Sequence, residues 1–172
     1  MSTHLIIGTT GSGKSHTLQQ LITQAADDPA TTTWAITPRS ELDAADRHTT
    51  PDGAQQMLNH ALAIVDQRNT ALRDARQLNE AEPPTHQPTR TEPRIRLLID
   101  EAEHLLRRRP LTEQLYRLAI TGRAAAVETV IAVSDLRLLL DLRERYLAGT
   151  VTQLQDIRTV PAHQVLADVT QD

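Results

Sequence analysis

The segment GTTGSGKS, residues 8–15, constrains the fold of this chain more than any other stretch. Its Gly8, Gly13, Lys14 and Ser15 fit the spacing G-x-x-x-x-G-K-[ST]. Glycines let the backbone turn its N–H groups inward around a phosphate. The lysine of such a loop reaches the β- and γ-phosphates, and the hydroxyl is a ligand for Mg²⁺. The segment therefore predicts a phosphate-binding loop, provided that a strand precedes it and a helix follows it.

Both flanks of the loop have the required pattern. A short apolar run of strand length precedes it, HLIIG at residues 4–8, and an apolar helix face follows it at Leu18, Leu21, Ile22 and Ala25. A phosphate in the loop would then lie at a helix N-terminus, where the dipole favours anions. We expect ATP to be held by the loop and the first turn of the helix: Gly8, Thr9, Thr10, Gly11, Ser12, Gly13, Lys14, Ser15 and His16.

Lysine usage strengthens this prediction. Lys14 is the only lysine among the 18 Lys and Arg residues of the chain. Every other one of these basic residues is arginine, and the single lysine occupies the position where a compact ammonium fits beside phosphate. The guanine-reading motif N-K-x-D needs a second lysine, which the chain lacks, so a GTPase is the weakest hypothesis.

Composition limits the remaining classes. A chain of 172 residues is long enough for one domain with a real core. The net charge of −4 provides no general basic surface, so any contact with DNA must be local or shared between subunits. The absence of cysteine excludes disulfides and thiolate metal sites. No signal peptide is visible and no apolar stretch approaches the roughly 20 residues that span a bilayer. We expect a cytoplasmic chain without a membrane segment of its own.

Strands and helices alternate along the rest of the chain. Strands are predicted at 31–37, 94–99, 127–133 and 150–155, and helices at 111–121 and 135–149. A long helix is predicted from Asp52, the expected N-cap, with a buried stripe of Ala54, Met57, Leu58, Ala61, Leu62 and Val65. This alternation predicts an α/β fold with a mainly parallel central sheet and helices on both faces. We expect residues 1–155 to form the domain, with a proline-rich surface loop at 79–93, and residues 156–172 to form a polar tail.

A pair of acids follows the apolar strand LLI at residues 97–99. In a phosphate-loop enzyme the aspartate at such a strand end holds Mg²⁺ together with the loop serine, and here these residues are Asp100 and Ser15. The next carboxylate, Glu101, can polarise the attacking water as a general base. An Asp-Glu pair favours hydrolysis of ATP over transfer to a small acceptor. Adjacent acids alone also suit a solvated turn or a helix N-cap.

Several segments together resemble the motor core of the FtsK/SpoIIIE DNA translocases. They are HLIIGTTGSGKS, TTWAITPRSEL, AQQMLNHALAIVDQRNTAL, RIRLLIDEAEHLL and RLAITGRAAAVETVIAVSDL, and they run from about His4 to Asp135. The first is shared with many phosphate-loop proteins, whereas the RLA and GRAA elements of the last are particular to this family. The resemblance implies a RecA-like P-loop ATPase that uses ATP and Mg²⁺ and moves double-stranded DNA. Small proteins of this kind resemble the transfer ATPases of plasmids.

The resemblance also implies roles for single residues. Lys14 and Ser15 match the phosphate lysine and the Mg²⁺ hydroxyl, and Asp100 and Glu101 match the metal aspartate and the catalytic glutamate. Arg123 matches the arginine that the family presents to ATP on the neighbouring subunit. An arginine supplied by a neighbouring subunit implies a homo-oligomer, for example a hexameric ring. The alternative is that Arg123 is an ordinary surface arginine.

Departures from the family pattern keep other functions open. The strand-end glutamine of the family falls at Ser134, and the aspartate and lysine of its second-strand motif fall at Thr37 and Arg39. The family glycine and histidine around β-strand 127–133 fall at Ala126 and Glu128. An ATP-binding regulator or assembly protein with the same fold is therefore the second hypothesis, and a small-molecule kinase is the third.

Overall fold

The computed structural model describes residues 3–78, 85–135 and 158–160. The elements follow in the order β1 (Thr3–Ile7), α1 (Lys14–Ala25), β2 (Thr31–Ile36), a 3-10 turn (Ser40–Leu42), β3 (Arg47–Thr49), α2 (Ala54–Leu78), β4 (Arg94–Ile99), α3 (Glu103–Leu106), α4 (Arg109–Thr121), β5 (Val127–Val133) and β6 (Arg158–Val160).

The strands form one sheet in the order β3-β2-β4-β5-β1-β6, and each pairing among the described strands is parallel. The register places Ile7 beside Val133, Ile99 beside Ile131, and Ile36 beside Ile99. The carboxyl ends of β1, β2, β4 and β5 therefore meet at one edge of the sheet. Loops at this edge are where open α/β sheets bind ligands.

Helices cover both faces of the sheet, as predicted, and each face has its own apolar core. On one face α2, α3 and α4 pack against the strands, and their buried residues include Leu58, Ala61, Val65, Leu105, Leu115 and Leu118. On the other face α1 and the 3-10 turn do so, with Leu18, Leu21, Ile22 and Leu42 against Ile6, Ala35, Leu98, Val130 and Ala132. Burial of alternate strand residues on opposite faces fixes the register of each strand.

The predicted elements are confirmed wherever they fall in the described residues, with small shifts at their ends. The apolar stripe of α2 is buried, except that Met57 is only half-buried. The helix begins at Ala54 rather than directly after Asp52, and the Gly53 carbonyl accepts the first helical hydrogen bonds. Asp52 does not serve as the predicted N-cap, because its carboxylate lies 3.3 Å from Arg108. Arg108, in the link between α3 and α4, is thus the partner of this carboxylate.

Two short strands are additional to the prediction. β3 pairs with β2, and β6 pairs with β1 through Arg158, Thr159 and Val160. β6 lies inside the 156–172 segment, for which the sequence predicts a polar tail, so the domain boundary at 155 stays a prediction. The predicted strand at 150–155 lies outside the described residues, as does the predicted helix at 135–149 after Asp135. Of the predicted loop at 79–93, the described part from 85 onward contains neither helix nor strand.

A buried polar cluster lies on the α1 face, near the amino ends of the strands. The Arg96 Nε donates to Glu128 Oε2 at 2.9 Å, and the His4 Nε2 lies 3.3 Å from Glu128 Oε1. All three side chains are buried. Burial alone would raise the pKa of Glu128, but the contact with His4 and the charge of Arg96 outweigh it and lower that pKa below its ordinary value. Glu128 is therefore ionised in the folded chain at neutral pH.

The Arg96–Glu128 pair makes a direct prediction for stability. Arg96→Met should lower the free energy of unfolding by about 3–5 kcal/mol, because it leaves the Glu128 carboxylate buried without the permanent positive charge beside it. The double variant Arg96→Met/Glu128→Met should recover most of that loss, since no charge remains stranded. Urea unfolding followed by circular dichroism measures both values. Equal losses in the single and double variants would contradict the pairing.

Candidate active site

The loop between β1 and α1 is built as a cradle. The Gly8 N–H donates to the Val133 carbonyl at 3.2 Å, which fixes the start of the loop to the end of β5. Gly11 and Gly13 have φ of 82° and 91°, a region that disfavours residues with a Cβ. The Ser12 N–H donates to the Thr9 carbonyl at 3.1 Å and closes a tight turn. The glycines of the motif thus serve the backbone geometry that a phosphate loop requires.

Lys14 is held over this cradle. Its Nζ donates to the Gly8 carbonyl at 2.7 Å and to the Thr9 carbonyl at 2.9 Å. The residue is only 7% exposed. The ammonium therefore lies at the loop rather than in solvent, in a place where phosphate oxygens can replace or join the two carbonyls. No other side chain of the loop carries a permanent positive charge.

Ser15 and Asp100 are in contact at the carboxyl ends of the strands, although 85 positions separate them in the sequence. The Ser15 hydroxyl donates to Asp100 Oδ2 at 2.7 Å. Asp100 is 2% exposed, and its Oδ1 accepts the N–H of Glu101 at 3.0 Å. A hydroxyl and a carboxylate oxygen are hard donors of the kind that Mg²⁺ prefers. These two residues therefore fit Mg²⁺, and Ser15 directly follows Lys14 in the chain.

Glu101 has an unusual backbone and a charged partner. Its φ is 46°, which is uncommon for a residue other than glycine, and residues in this region cluster at active sites. Its Oε1 lies 2.8 Å from Arg39, and its Oε2 lies 3.6 Å from His104. The side chain is 31% exposed. Arg39, at the position of the family lysine, thus faces the candidate general base across the ends of β2 and β4.

Glu103 is a site residue that the sequence pattern did not single out. Its Oε1 accepts the backbone N–H groups of Ser134 and Asp135, the latter at 3.1 Å. The contact ties α3 to the carboxyl end of β5, where Ser134 stands in place of the family glutamine. The only signal in the sequence is the third acid of DEAE, and nothing in its spacing indicates a backbone partner on another strand.

Arg123 lies at the opposite edge of the sheet. It precedes β5, whereas Ser134 follows that strand. Seven strand residues span roughly 20 Å, which is farther than an arginine side chain extends. The side chain is exposed and lines an open depression of about 400 Å³ together with His86, Arg94 and the buried Glu128. Within one chain, the geometry therefore does not bring Arg123 to the cradle with the other predicted residues.

Two polar candidates remain, His16 and the basic run RRR at residues 107–109, whose arginines could contact a DNA backbone. His16 is exposed on the first turn of α1, at the mouth of the cradle. In the basic run at 107–109, Arg108 lies 3.3 Å from Asp52 and Arg109 lies 2.9 Å from Glu113. Two of the three arginines are thus paired with acids of the same chain, which leaves this run a weak candidate for DNA.

Residues 2–140 match the AAA domain family over most of the chain. This chain belongs to the AAA domain family. Its function is that of an ATPase of the AAA, P-loop type, which implies a nucleotide and usually Mg²⁺. No curated protein sequence matches the chain. In the parts of the chain that the structure describes, no helix is long and apolar enough to cross a membrane.

Solved structures share the fold. EssC (ATPases 2 and 3) from Geobacillus thermodenitrificans matches 82% of this chain at 13% identity and a TM-score of 0.61. The pCW3 conjugation coupling protein TcpA, with ATPγS, matches 84% at 18% identity and 0.57. Thermomonospora curvata EccC (ATPases 2 and 3), in complex with a signal sequence peptide, matches 90% at 18% identity and 0.57. At these identities the likeness shows the fold alone, and the predicted α/β RecA-like P-loop fold is confirmed.

The similar structures are longer proteins. The chain spans 30% of the EssC chain, 46% of TcpA and 28% of EccC. The activities and partners of those whole proteins therefore bear on this chain only through the proposals that follow.

Proposed function

We propose that this ATPase domain is a motor core of the FtsK/SpoIIIE type that acts on double-stranded DNA as a homo-oligomer. The observation that carries the proposal is the division of residues between the two edges of the sheet. The cradle, Asp100 and Glu101 lie at one edge, and the Arg123 loop lies at the other. A ring of identical chains can place one edge against the other, so that each nucleotide receives residues from two subunits.

Each residue has a role in this proposal. Lys14 binds the β- and γ-phosphates, and the loop N–H groups surround them. Ser15 and Asp100 would hold Mg²⁺, which supplies charge neutralisation on the phosphate oxygens. Glu101 accepts a proton from the attacking water at a carboxylate oxygen. Arg123 of the neighbouring chain donates its fork to the oxygens on which charge develops.

Two lines of support favour nucleic acid as the substrate. The segments RLAITG and RAAAV resemble the translocase family, and TcpA, a conjugation coupling protein, shares the fold. A role in plasmid transfer follows from the same two lines. EssC and EccC share the fold as well, and EccC is named a type VII secretion ATPase. A protein substrate is therefore the competing hypothesis.

A regulator or assembly protein is the second candidate, and Ser134 favours it. The Ser134 side chain at the end of β5 is shorter than the family glutamine. The backbone N–H of Ser134 already donates to Glu103. The net charge of −4 also provides no general basic surface. Such a protein would bind ATP and change its assembly without coupling hydrolysis to movement.

The ATPase rate measured against protein concentration, with and without double-stranded DNA, decides between the two. A motor core should show a rate per chain that rises with concentration and rises again with DNA. Single-stranded DNA and an anionic polymer such as heparin are the controls, since they test for charge alone. A rate that rises with protein concentration but does not change when DNA is added would favour the regulator.

Lys14→Ala tests the cradle itself. We expect it to weaken ATP binding by about 100-fold, because a charge-assisted contact to the phosphates is lost. The fold should persist, since no core packing depends on this side chain. Arg73→Ala, at an exposed position of α2, removes one positive charge elsewhere and should bind ATP normally. Binding of a fluorescent ATP analogue measures both, and equal affinities would contradict the assignment.

A further inference from the structure

The segment between α4 and β5, residues 122–126, is here called the arginine loop because it carries Arg123. Its backbone is fixed by internal hydrogen bonds, and Arg123 is exposed whereas Gly122 and Ala125 are buried. The Ala126 N–H donates to the Arg123 carbonyl at 3.1 Å, and the Val127 N–H donates to the Gly122 carbonyl at 2.9 Å. Ala126 has a φ of 53°, a strained value that surrounding contacts must hold. A Cβ on Gly122 would lie 2.6 Å from the Val127 carbonyl, so only glycine fits there.

Helix α2 supplies the anchors from outside the loop. The Arg68 Nη1 donates to the Ala125 carbonyl at 2.9 Å, and its Nη2 donates to the Pro93 carbonyl at 2.8 Å. The neighbouring Asn69 Nδ2 donates to the Thr121 carbonyl at 3.2 Å. One guanidinium therefore bridges the arginine loop and the residue that precedes β4. Because Asp100 directly follows the last residue of β4, the same bridge sets the loop relative to the strand of the nucleotide site.

The chemistry of this bridge is specific to arginine. Its planar fork reaches two carbonyls in fixed directions, whereas the single ammonium of a lysine has no such fork. The guanidinium is partly buried, and burial lowers the pKa of Arg68 while the nearby Glu92 raises it in part. A partly buried charge is costly unless it is well bonded. At an edge far from the candidate cradle, its contacts serve the position of the arginine loop.

We propose that Arg68 is a positioning residue that holds the loop of Arg123 in the geometry needed to reach the nucleotide of a neighbouring chain. The inference rests on the proposed function, because it gives Arg68 a role only if Arg123 acts across a subunit interface. It assigns to the long helix α2 a part in positioning the arginine that acts on the nucleotide. Misplacement of a catalytic group by about 1 Å can cost on the order of 100-fold in rate.

Hydrogen exchange tests whether Arg68 fixes the loop. In Arg68→Met the amides of Ala125, Ala126 and Val127 should exchange about ten-fold faster or more, because the charge-assisted bond to the Ala125 carbonyl and its link to Pro93 are lost. The amides of Val130 and Ala132 in the same strand serve as an internal reference for global stability. The control Arg73→Met makes the same chemical change at an exposed position of α2 and should leave all five rates unchanged. Unchanged loop rates in Arg68→Met would overturn the inference, whatever the outcome for catalysis.

A mixing experiment tests whether that geometry matters for catalysis. The parent mixture contains one chain with Glu101→Gln, which donates its Arg123, and one chain with Arg123→Ala, which supplies its Glu101. Arg68→Met is then added to one chain at a time. On the donating chain it should lower the restored activity about ten-fold or more. On the chain that already lacks Arg123 it should have little effect, because that chain has no finger to position.

The difference in activity between the two placements of Arg68→Met distinguishes a positioning role from a structural one. A merely structural role of Arg68 would lower activity equally from either chain, and that result would overturn the positioning role. An equal absence of effect from both chains would also overturn it. Failure of the parent mixture to recover any activity would instead overturn the proposed trans arrangement, and the exchange rates would still decide whether Arg68 fixes the loop. Arg68→Lys on the donating chain should rescue only part of the loss, since it lacks the fork.

Discussion

Arg123→Ala is expected to lower the ATPase rate of the assembled protein by about 10³-fold or more, while ATP affinity stays close to that of the parent chain. Arg123 lies at the edge of the sheet opposite to Lys14 and Ser15, so its removal cannot disturb the cradle of its own chain. An arginine supplied by a neighbour stabilises charge that develops only in the transition state. The loss should therefore fall on the turnover rate and not on binding.

Arg117→Ala provides the matched control for this variant. Arg117 is another exposed arginine, on α4 close to the same loop, and it pairs with Asp66 at 2.7 Å. Exposed ion pairs of this kind contribute about 0–1 kcal/mol, so the control should keep both its fold and its rate. Steady-state phosphate release and binding of a fluorescent ATP analogue measure the two quantities separately.

Mixing extends the prediction from one chain to two. Equal amounts of Arg123→Ala and Glu101→Gln should regain part of the activity that each lacks alone, because some interfaces then contain both an intact base and an intact arginine. The rate per chain of the unmodified protein should also rise with concentration. Full activity in dilute monomer, or in Arg123→Ala alone, would rule out the trans arrangement and favour the regulator.

Much of the fold follows from the sequence because it depends on local periodicity. The apolar runs of β1 and β5 indicate central strands, and the stripe of α2 indicates a buried helix face; both are observed. The short strands β3 and β6 were not predicted. Three residues carry too little pattern to indicate a strand, and only pairing with β2 or β1 makes them one.

The candidate site also has parts that the sequence predicts and parts that it does not. The cradle could be predicted because Gly8, Gly13, Lys14 and Ser15 are fixed by the geometry of one continuous loop. The contact of Ser15 with Asp100 follows once both are placed at strand or helix ends of one parallel sheet. Motif-level reasoning therefore succeeds where chemistry constrains neighbouring positions.

Contacts that depend on tertiary geometry could not be predicted from those motifs. Arg39 reaches Glu101 only because β2 and β4 are neighbours in the sheet. Arg68 reaches Ala125 and Pro93 only because α2 packs beside α4 and the amino end of β4. In sequence, Arg68 is one of three arginines on a helix whose exposed face is polar, and no spacing distinguishes it from Arg73.

Glu101→Gln should bind ATP and hydrolyse it about 10²–10⁴-fold more slowly. The amide keeps the shape of the side chain, and its oxygen can still accept the Arg39 contact that Glu101 makes at 2.8 Å. It cannot take up the proton of an attacking water at neutral pH. The variant thus separates the position of the side chain from its basicity.

Glu103→Gln is the matched control, two residues along the same segment. Its amide oxygen can still accept the N–H groups of Ser134 and Asp135, so the end of β5 should stay in place. We expect a rate within a few-fold of the parent, because this carboxylate is not assigned a proton. Nucleotide recovered after a single turnover distinguishes the two variants: Glu101→Gln should retain mainly ATP, and Glu103→Gln mainly ADP. Equal turnover by both would mean that another group accepts the proton, and the ion pair with Arg39 would then be the role left to Glu101.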